Sequence, residues 1–216
     1  MTRTAYFGGS FDPPHKGHFA IAESLIDLFK LDRFVFIPAF HAPHKPDRKP
    51  TPAIHRYAML ALATNNAPKH FVSTMEIDLP QRPYTVETLG RIIAAKPDDQ
   101  IFFVMGADSW QDITTWREWE TVLTMTDHIV VTRPGFPINF SHVTENIRER
   151  IVDLRGSLSD GVADDHTARK IYITDTVKMD ISATGIRGLI SSKTKGWDND
   201  LTKEVAKYIE KYELYK

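Results

Sequence analysis

The sequence predicts an α/β protein with a mostly parallel sheet carrying helices on both faces, and three observations point to it. Short apolar runs alternate along the chain with longer stretches whose apolar residues recur at helical spacing. Such alternation marks repeated strand–helix–strand crossovers, which set their strands parallel. The first run closes on Gly8-Gly9 and soon passes into an amphipathic stretch. The most polar and unusual residues gather where strands should end: Gly8-Gly9, His41 to Lys45, Glu76, Gly106 to Asp108, Arg133, and Ser182 to Arg187. With the right-handed crossovers that parallel strands take, this is a Rossmann-like, doubly wound sheet whose ligands bind beyond the carboxyl ends of its strands.

Each element has its own signal. Thr4 to Phe7 reads as a short buried strand. From His18 to Lys30, apolar residues at Ile21, Ala22, Leu25, Ile26, Leu28 and Phe29 make one helix face. Phe34 to Ile37 is a second strand, stopped by Pro38, and Thr51-Pro52 reads as an N-cap with proline at the first helical position, opening a helix through Thr64. A strand from Phe71 to Met75 and a helix from Val86 to Ala95 follow. Ile101 to Met105 is a fourth strand, leading through Gly106-Ala107-Asp108 into a helical region rich in tryptophan, with Trp110, Trp116 and Trp119. Ile129 to Thr132 is a fifth strand, closed by Arg133-Pro134-Gly135. A helix is expected over about His142 to Leu154, a loop over Gly156 to Thr167, and a sixth strand over Ile171 to Thr174. Two helices end the chain, a short one after Ile181 and a longer one from about Leu201.

Composition narrows the function classes. A length of 216 residues favours one domain over 1–216 with a C-terminal helical portion from about 182 to 216. Hydrophobic content of 42% and charged content of 25% are those of a folded globular chain. A net charge of −1 gives no footprint for nucleic acid or an anionic membrane. The absence of cysteine excludes disulfides, thiolate zinc sites and a cysteine nucleophile. No signal peptide or membrane span is visible, so a cytoplasmic location is expected.

The chemistry concentrates in the run Gly8 to His18, "GGSFDPPHKGH". The glycines let a ligand approach the backbone, and the following helix offers free N–H groups and a dipole that attract anions. His15 and His18 therefore have three readings: donors to a polyphosphate, caps of the helix end, or metal ligands. A metal site wants three or four ligands. The only nearby candidates, His41 and His44, stand beside Lys45.

That run resembles the N-terminal signature of the nucleotidyltransferase superfamily, a G-x-F-D-P followed by H-x-G-H, here His15-Lys16-Gly17-His18. Far downstream "ISATGIR", Ile181 to Arg187, is similar to the superfamily's second signature, I-S-S-T-x-I-R, with Ala183 where the second serine is usual. Between them, "APHK" (Ala42 to Lys45), "RPYTVETL" (Arg82 to Leu89, Pro83 replacing a common serine), "GADSWQDITTW" (Gly106 to Trp116) and "VVTRPG" (Val130 to Gly135) resemble segments of the bacterial nicotinate-mononucleotide adenylyltransferases. The resemblance spans essentially the whole chain.

It implies transfer of the adenylyl group of ATP to the phosphate of nicotinate mononucleotide, giving deamido-NAD and pyrophosphate by direct in-line attack. Such chemistry needs two anions aligned and growing charge on the leaving group stabilised. On the resemblance, His15, His18, Lys45 and Arg187 are the catalytic residues. The ATP site is drawn from Gly8, Gly9, Ser10, Phe11, His15, His18, His44, Lys45, Gly106, Asp108, Ile181, Ser182, Thr184 and Arg187. The acceptor site takes Thr85, Asp108, Trp116 and Arg133. Mg²⁺ accompanies ATP, held by phosphate oxygens and water with no protein ligand assigned. The expected partners are these two small molecules, with no nucleic acid and no membrane, and self-association is left open.

Several of these residues also have plainer roles: Thr85 and Asp108 as helix caps, Trp116 and Trp119 as core, Arg133 as a solvated loop arginine. Competing functions are a related adenylyl- or cytidylyltransferase with another phosphorylated acceptor such as phosphopantetheine, and a non-catalytic nucleotide-binding module. An aminoacyl-tRNA synthetase also carries H-x-G-H, but "KMD" at Lys178 to Asp180 lacks the second lysine of that family's loop.

Overall fold

The structure, a computed structural model, describes residues 1–40, 50–132, 137–156, 169–177 and 179–216. Among these residues, seven strands form one sheet: β1 (Arg3–Gly9), β2 (Arg33–Pro38), β3 (His70–Val72), β4 (Gln100–Gly106), β5 (Asp127–Val131), β6 (Ile151–Asp153) and β7 (Ile171–Thr174). Their order is β3-β2-β1-β4-β5-β7-β6, and every pairing is parallel. The chain winds outward from β1 to β3, then returns to lay β4 on the other side of β1. The crevice of such a sheet opens at this reversal, outside the carboxyl ends of β1 and β4.

Successive strand residues point to opposite faces, and the two faces carry separate cores. On one, Phe7, Phe34, Phe36, Phe102 and Val104 pack under α1 (Lys16–Leu28), which contributes Ala22, Leu25 and Ile26. On the other, Tyr6, Phe103, Met105 and Val130 pack with Leu89 and Ile92 of α3 (Thr85–Ala95). They also meet Trp110 of α4 (Ala107–Gln111) and Val122 and Leu123 of α5 (Trp119–Met125). A third cluster joins Met59 of α2 (Ala53–Thr64) to α7 (Ala183–Ser191) and α8 (Lys203–Lys211) through Ile186, Ile190, Val205 and Ile209. Each fully buried large apolar side chain contributes roughly 1.5–3 kcal/mol.

Local expectations hold for most elements and fail at identifiable places. No helix spans 142–154. A four-residue helix, α6 (Glu145–Arg148), is followed by β6, a strand added to the six expected. Val143 and Ile147 give this stretch its helical spacing, and both are buried in the second-face core. Beyond them, main-chain pairing with β7 takes over: Ile171 N–H donates to Arg150 O and Leu154 N–H to Ile173 O, both at 2.9 Å. At α2 the N-cap is Pro52 rather than Thr51; the Thr51 N–H donates to the Asp12 carboxylate and its carbonyl accepts from Arg56 of α2 itself. The third strand ends at Val72 and not Met75, and α7 and α8 are both nine residues long. No helix among the described residues is long and apolar enough to cross a membrane.

Candidate active site

The turn after β1 is built around two imidazoles. His15 caps α1 in an extended conformation, and His18 is the third residue of that helix. The His15 main-chain N–H donates to His18 Nδ1 at 3.1 Å, and the rings stack with centroids 3.7 Å apart. An Nδ1 that accepts leaves the proton of the neutral His18 ring on Nε2, so this ring carries a directed donor. Gly17 leaves room for the His15 ring: a Cβ there would lie 3.1 Å from His15 Nδ1, so the ring would have to give by a few tenths of an ångström. From the other side, the buried Phe11 ring meets His18 edge-on at 4.9 Å. Phe11 holds a left-handed φ of 47°, an uncommon state for a residue with a side chain. Lys16 is turned away: its main-chain N–H reaches Asp200 O at 2.9 Å and its Nζ reaches Asn199 O at 2.6 Å.

The second signature forms the N-terminus of α7. Ser182 is its N-cap, and its Oγ accepts from Gly185 N–H at 3.0 Å. Arg187, one turn in, donates from Nη1 to Asp12 O at 2.6 Å and from Nη2 to Thr184 Oγ1 at 3.1 Å. The two ends of the sequence are thereby joined directly at the His15 turn. Asp12 is buried, and its carboxylate accepts from Tyr215 Oη at 2.7 Å and from Thr51 N–H at 3.3 Å.

At the end of β4, Gly106 caps α4 and Asp108 lies in its first turn. A Cβ on Gly106 would stand 2.6 Å from Asp108 Oδ1, so glycine is what lets this exposed carboxylate fold back over the strand end. Asp108 is thus not the cap of its helix.

These pieces enclose a cleft of about 410 Å³ at the carboxyl ends of β1, β4 and β5. Gly8, Gly9, Ser10, Phe11, His15 and His18 line one side. Gly106 and Asp108 lie at the β4 end, with Ile181, Ser182, Thr184 and Arg187 opposite. Every described residue assigned to ATP from the sequence is therefore brought into one cavity. His44, Lys45 and Arg133 lie outside the described residues. Thr85 and Trp116 do not line the cleft. Thr85 is the first residue of α3, whose cap is Tyr84, so it is not the cap. Trp116 is half-buried against the second-face core, as is Trp119, whereas Trp110 is the fully buried tryptophan.

The cleft also takes in residues not singled out from the sequence. Ser109 and Thr132 follow β4 and β5, and the rule that ligands meet strand ends could have found them. Val177 and Met179 carry no residue-type signal. Among the described residues no group of three or more His, Asp or Glu side chains could hold a metal ion. Burial raises the pKa of Glu76, whose carboxylate accepts from Thr88 Oγ1 at 2.9 Å.

A glycine-bearing, histidine-lined cleft at the reversal of a parallel sheet lies where α/β proteins of this doubly wound class bind their ligands. The family model described as Cytidylyltransferase-like matches residues 6–189. A relative from Citrifermentans bemidjiense named "Probable nicotinate-nucleotide adenylyltransferase" is 38% identical over 189 residues, covering 86% of this chain and 85% of its own length. One of the same name from Thermoanaerobacter sp. is 36% identical over 217 residues, covering 99% and 94%. The chain belongs to the nicotinate-nucleotide adenylyltransferases of the Cytidylyltransferase-like family. The same fold occurs in the Plasmodium falciparum nicotinic acid mononucleotide adenylyltransferase solved with NaAD, at a TM-score of 0.76, 21% identity, and coverage of 100% of this chain and 98% of that one.

Proposed function

We propose that this protein transfers the AMP moiety of ATP to the phosphate of nicotinate mononucleotide, forming nicotinate adenine dinucleotide and releasing pyrophosphate. The observation that carries the reading is the meeting of the His15–His18 turn with the Ser182–Arg187 helix start in one cleft, tied by Arg187 to Asp12 O at 2.6 Å. A phosphate oxygen of the mononucleotide forms a bond to the α-phosphorus of ATP. The bond from that phosphorus to the bridging oxygen breaks, and its electron pair leaves with pyrophosphate. The attacking phosphate is already ionised, so no general base is required.

In this reading His18 donates from Nε2 to the phosphate that gains charge, and the α1 N-terminus adds its dipole. His15 holds His18 in the donating tautomer through its main-chain N–H and stacks on the ring. Arg187, Lys45 and His44 supply further positive charge. Gly8 to Phe11 and Gly106 let the nucleotide lie against main chain, and Asp108 accepts from a ribose hydroxyl. Ile181, Ser182 and Thr184 shape the start of α7. Trp116 stacks on the pyridine ring, with Thr85 and Arg133 meeting the acceptor's carboxylate and phosphate. The cleft offers one described carboxylate, Asp108, and no cluster of ligands. That fits a Mg²⁺ carried by the triphosphate with most of its waters, where it supplies charge neutralisation. We propose further that residues 1–216 act as one cytoplasmic domain, the C-terminal helices completing the cleft.

The test supplies purified protein with ATP and Mg²⁺ and, in turn, nicotinate mononucleotide, nicotinamide mononucleotide or phosphopantetheine, following pyrophosphate. Release with nicotinate mononucleotide is expected. No release with either pyridine mononucleotide removes the reading.

A further inference from the structure

Arg56 is the least expected side chain outside the cleft. It lies in the first turns of α2, is 1% exposed, and burial lowers its pKa from the ordinary guanidinium range. Its three nitrogens reach four main-chain carbonyls. Nε donates to Thr51 O at 2.9 Å, Nη1 to Ser10 O at 2.6 Å, and Nη2 to Ala39 O at 2.6 Å and Phe40 O at 3.3 Å. Among the described residues no carboxylate pairs with it directly, and the Asp12 and Glu76 carboxylates offset only part of the burial from a distance.

Such a residue is poorly explained by stability alone. A buried cation costs several kcal/mol of solvation, and an apolar side chain of similar volume often serves the fold as well. What only a guanidinium supplies is a rigid planar fork that fixes several acceptors relative to one another. Here the acceptors come from three separate stretches. Ser10 belongs to the turn that carries His15 and His18 and lines the cleft. Ala39 and Phe40 follow β2, where Ala39 N–H also donates to Gly9 O at 2.8 Å. Thr51 precedes α2 and donates its N–H to Asp12 at 3.3 Å.

We infer that Arg56 is a positioning residue for the adenylyl transfer: its guanidinium sets the Gly9–Asp12 turn against the main chain at 39–40 and 51, and so aims His15 and His18 at the nucleotide. Arg56 touches no substrate. It acts through the Ser10 carbonyl and the turn attached to it. The inference rests on the activity proposed above.

The test uses the full chain with Arg56→Lys, which keeps the charge and loses the fork, and Arg56→Gln, which keeps two donors and loses the charge. Steady-state constants for both substrates are measured with the thermal midpoint, below the unfolding range. Misaligning a reacting geometry by an ångström costs up to about a hundredfold. Both variants are therefore expected to lose at least about tenfold in kcat/KM for ATP, with KM for the mononucleotide within about threefold of wild type. A purely structural residue would lower the midpoint and leave kcat/KM for ATP in place. Either variant retaining that value overturns the inference, as does loss of the folded state in both. Wild type inactive on every acceptor counts against the proposed activity instead. Arg56 is then judged by calorimetric binding of a non-hydrolysable ATP analogue, which both variants should weaken about tenfold and whose preservation overturns the positioning role.

Discussion

His128 makes stability depend on pH in a way that can be measured apart from everything else in the molecule. It is the second residue of β5, fully buried, with Nδ1 3.1 Å from Thr126 O. Its Nε2 has no hydrogen-bond partner among the described residues. Burial drives its pKa from 6.5 down to about 4. The unfolded chain therefore binds the proton more readily than the folded one. The contribution is fully present above 6.5 and is lost as pH falls toward 4. A gap of about 2.5 units at 1.36 kcal/mol each is about 3 kcal/mol, a sizeable share of the ~5–15 kcal/mol that stabilises a typical domain. Urea unfolding followed by tryptophan fluorescence, at half-unit steps from pH 8 to 4.5, gives the stability of wild type and of His128→Gln. Other titrating groups, His70 among them, cancel in the difference. The variant is expected to be less stable at pH 8. Its deficit should shrink by about 1.4 kcal/mol per unit below pH 6. Curves that stay parallel between pH 7 and 5 would refute the reasoning, because they would mean that His128 takes up its proton equally in both states.

Three further predictions concern the cleft and the contacts of Asp12. His18→Ala should lower kcat by about 10²–10³ while moving acceptor KM little, as expected of a donor that acts on developing charge; an unchanged kcat rejects that role. Gly17→Ala brings a Cβ to 3.1 Å from His15 Nδ1, so the stacked imidazoles must shift, and activity should drop about tenfold or more without a matching loss of thermal stability. Tyr215→Phe deletes the 2.7 Å hydrogen bond to the buried Asp12 carboxylate and should cost about 1.5–3 kcal/mol in urea unfolding; a loss under about 0.5 kcal/mol shows that the bond contributes nothing there.

How far these features can be read from sequence depends on what makes them. Six strands are legible because each contains a local apolar run, buried by the sheet in all but β3, where Phe71 is exposed. β6 is not, since only its pairing with β7 makes Ile151–Asp153 a strand, and the apolar spacing of Val143, Ile147 and Ile151 argues locally for a helix. The side of the cleft proposed to hold phosphate is legible because its residue types carry the signal: glycine beneath a ligand, histidine at a helix start, a serine cap. The proposed acceptor site is less so, because Thr85 and Trp116 sit outside the cavity formed by the other described residues. Arg56 was invisible for a different reason. Its partners are carbonyls, which every residue possesses, so nothing in the sequence around Ser10, Ala39 or Thr51 announces them.

Asp12 shows why the end of the chain matters to its beginning. Its carbonyl takes the Arg187 bond and its carboxylate takes Tyr215 and Thr51. Four segments therefore meet on a residue three positions from His15. The helix that carries Arg187 to Asp12, α7, packs through Ile186 and Ile190 with residues of α2 and α8. Tyr215 arrives there only because α8 lies against α2, where Tyr208 Oη meets His55 Nδ1 at 2.9 Å. The third hydrophobic cluster thus does more than cover the sheet. It converts apolar burial at the C-terminal helices into the placement of a polar turn, so damage to that cluster should surface first as a loss of nucleotide affinity and only later as loss of the fold.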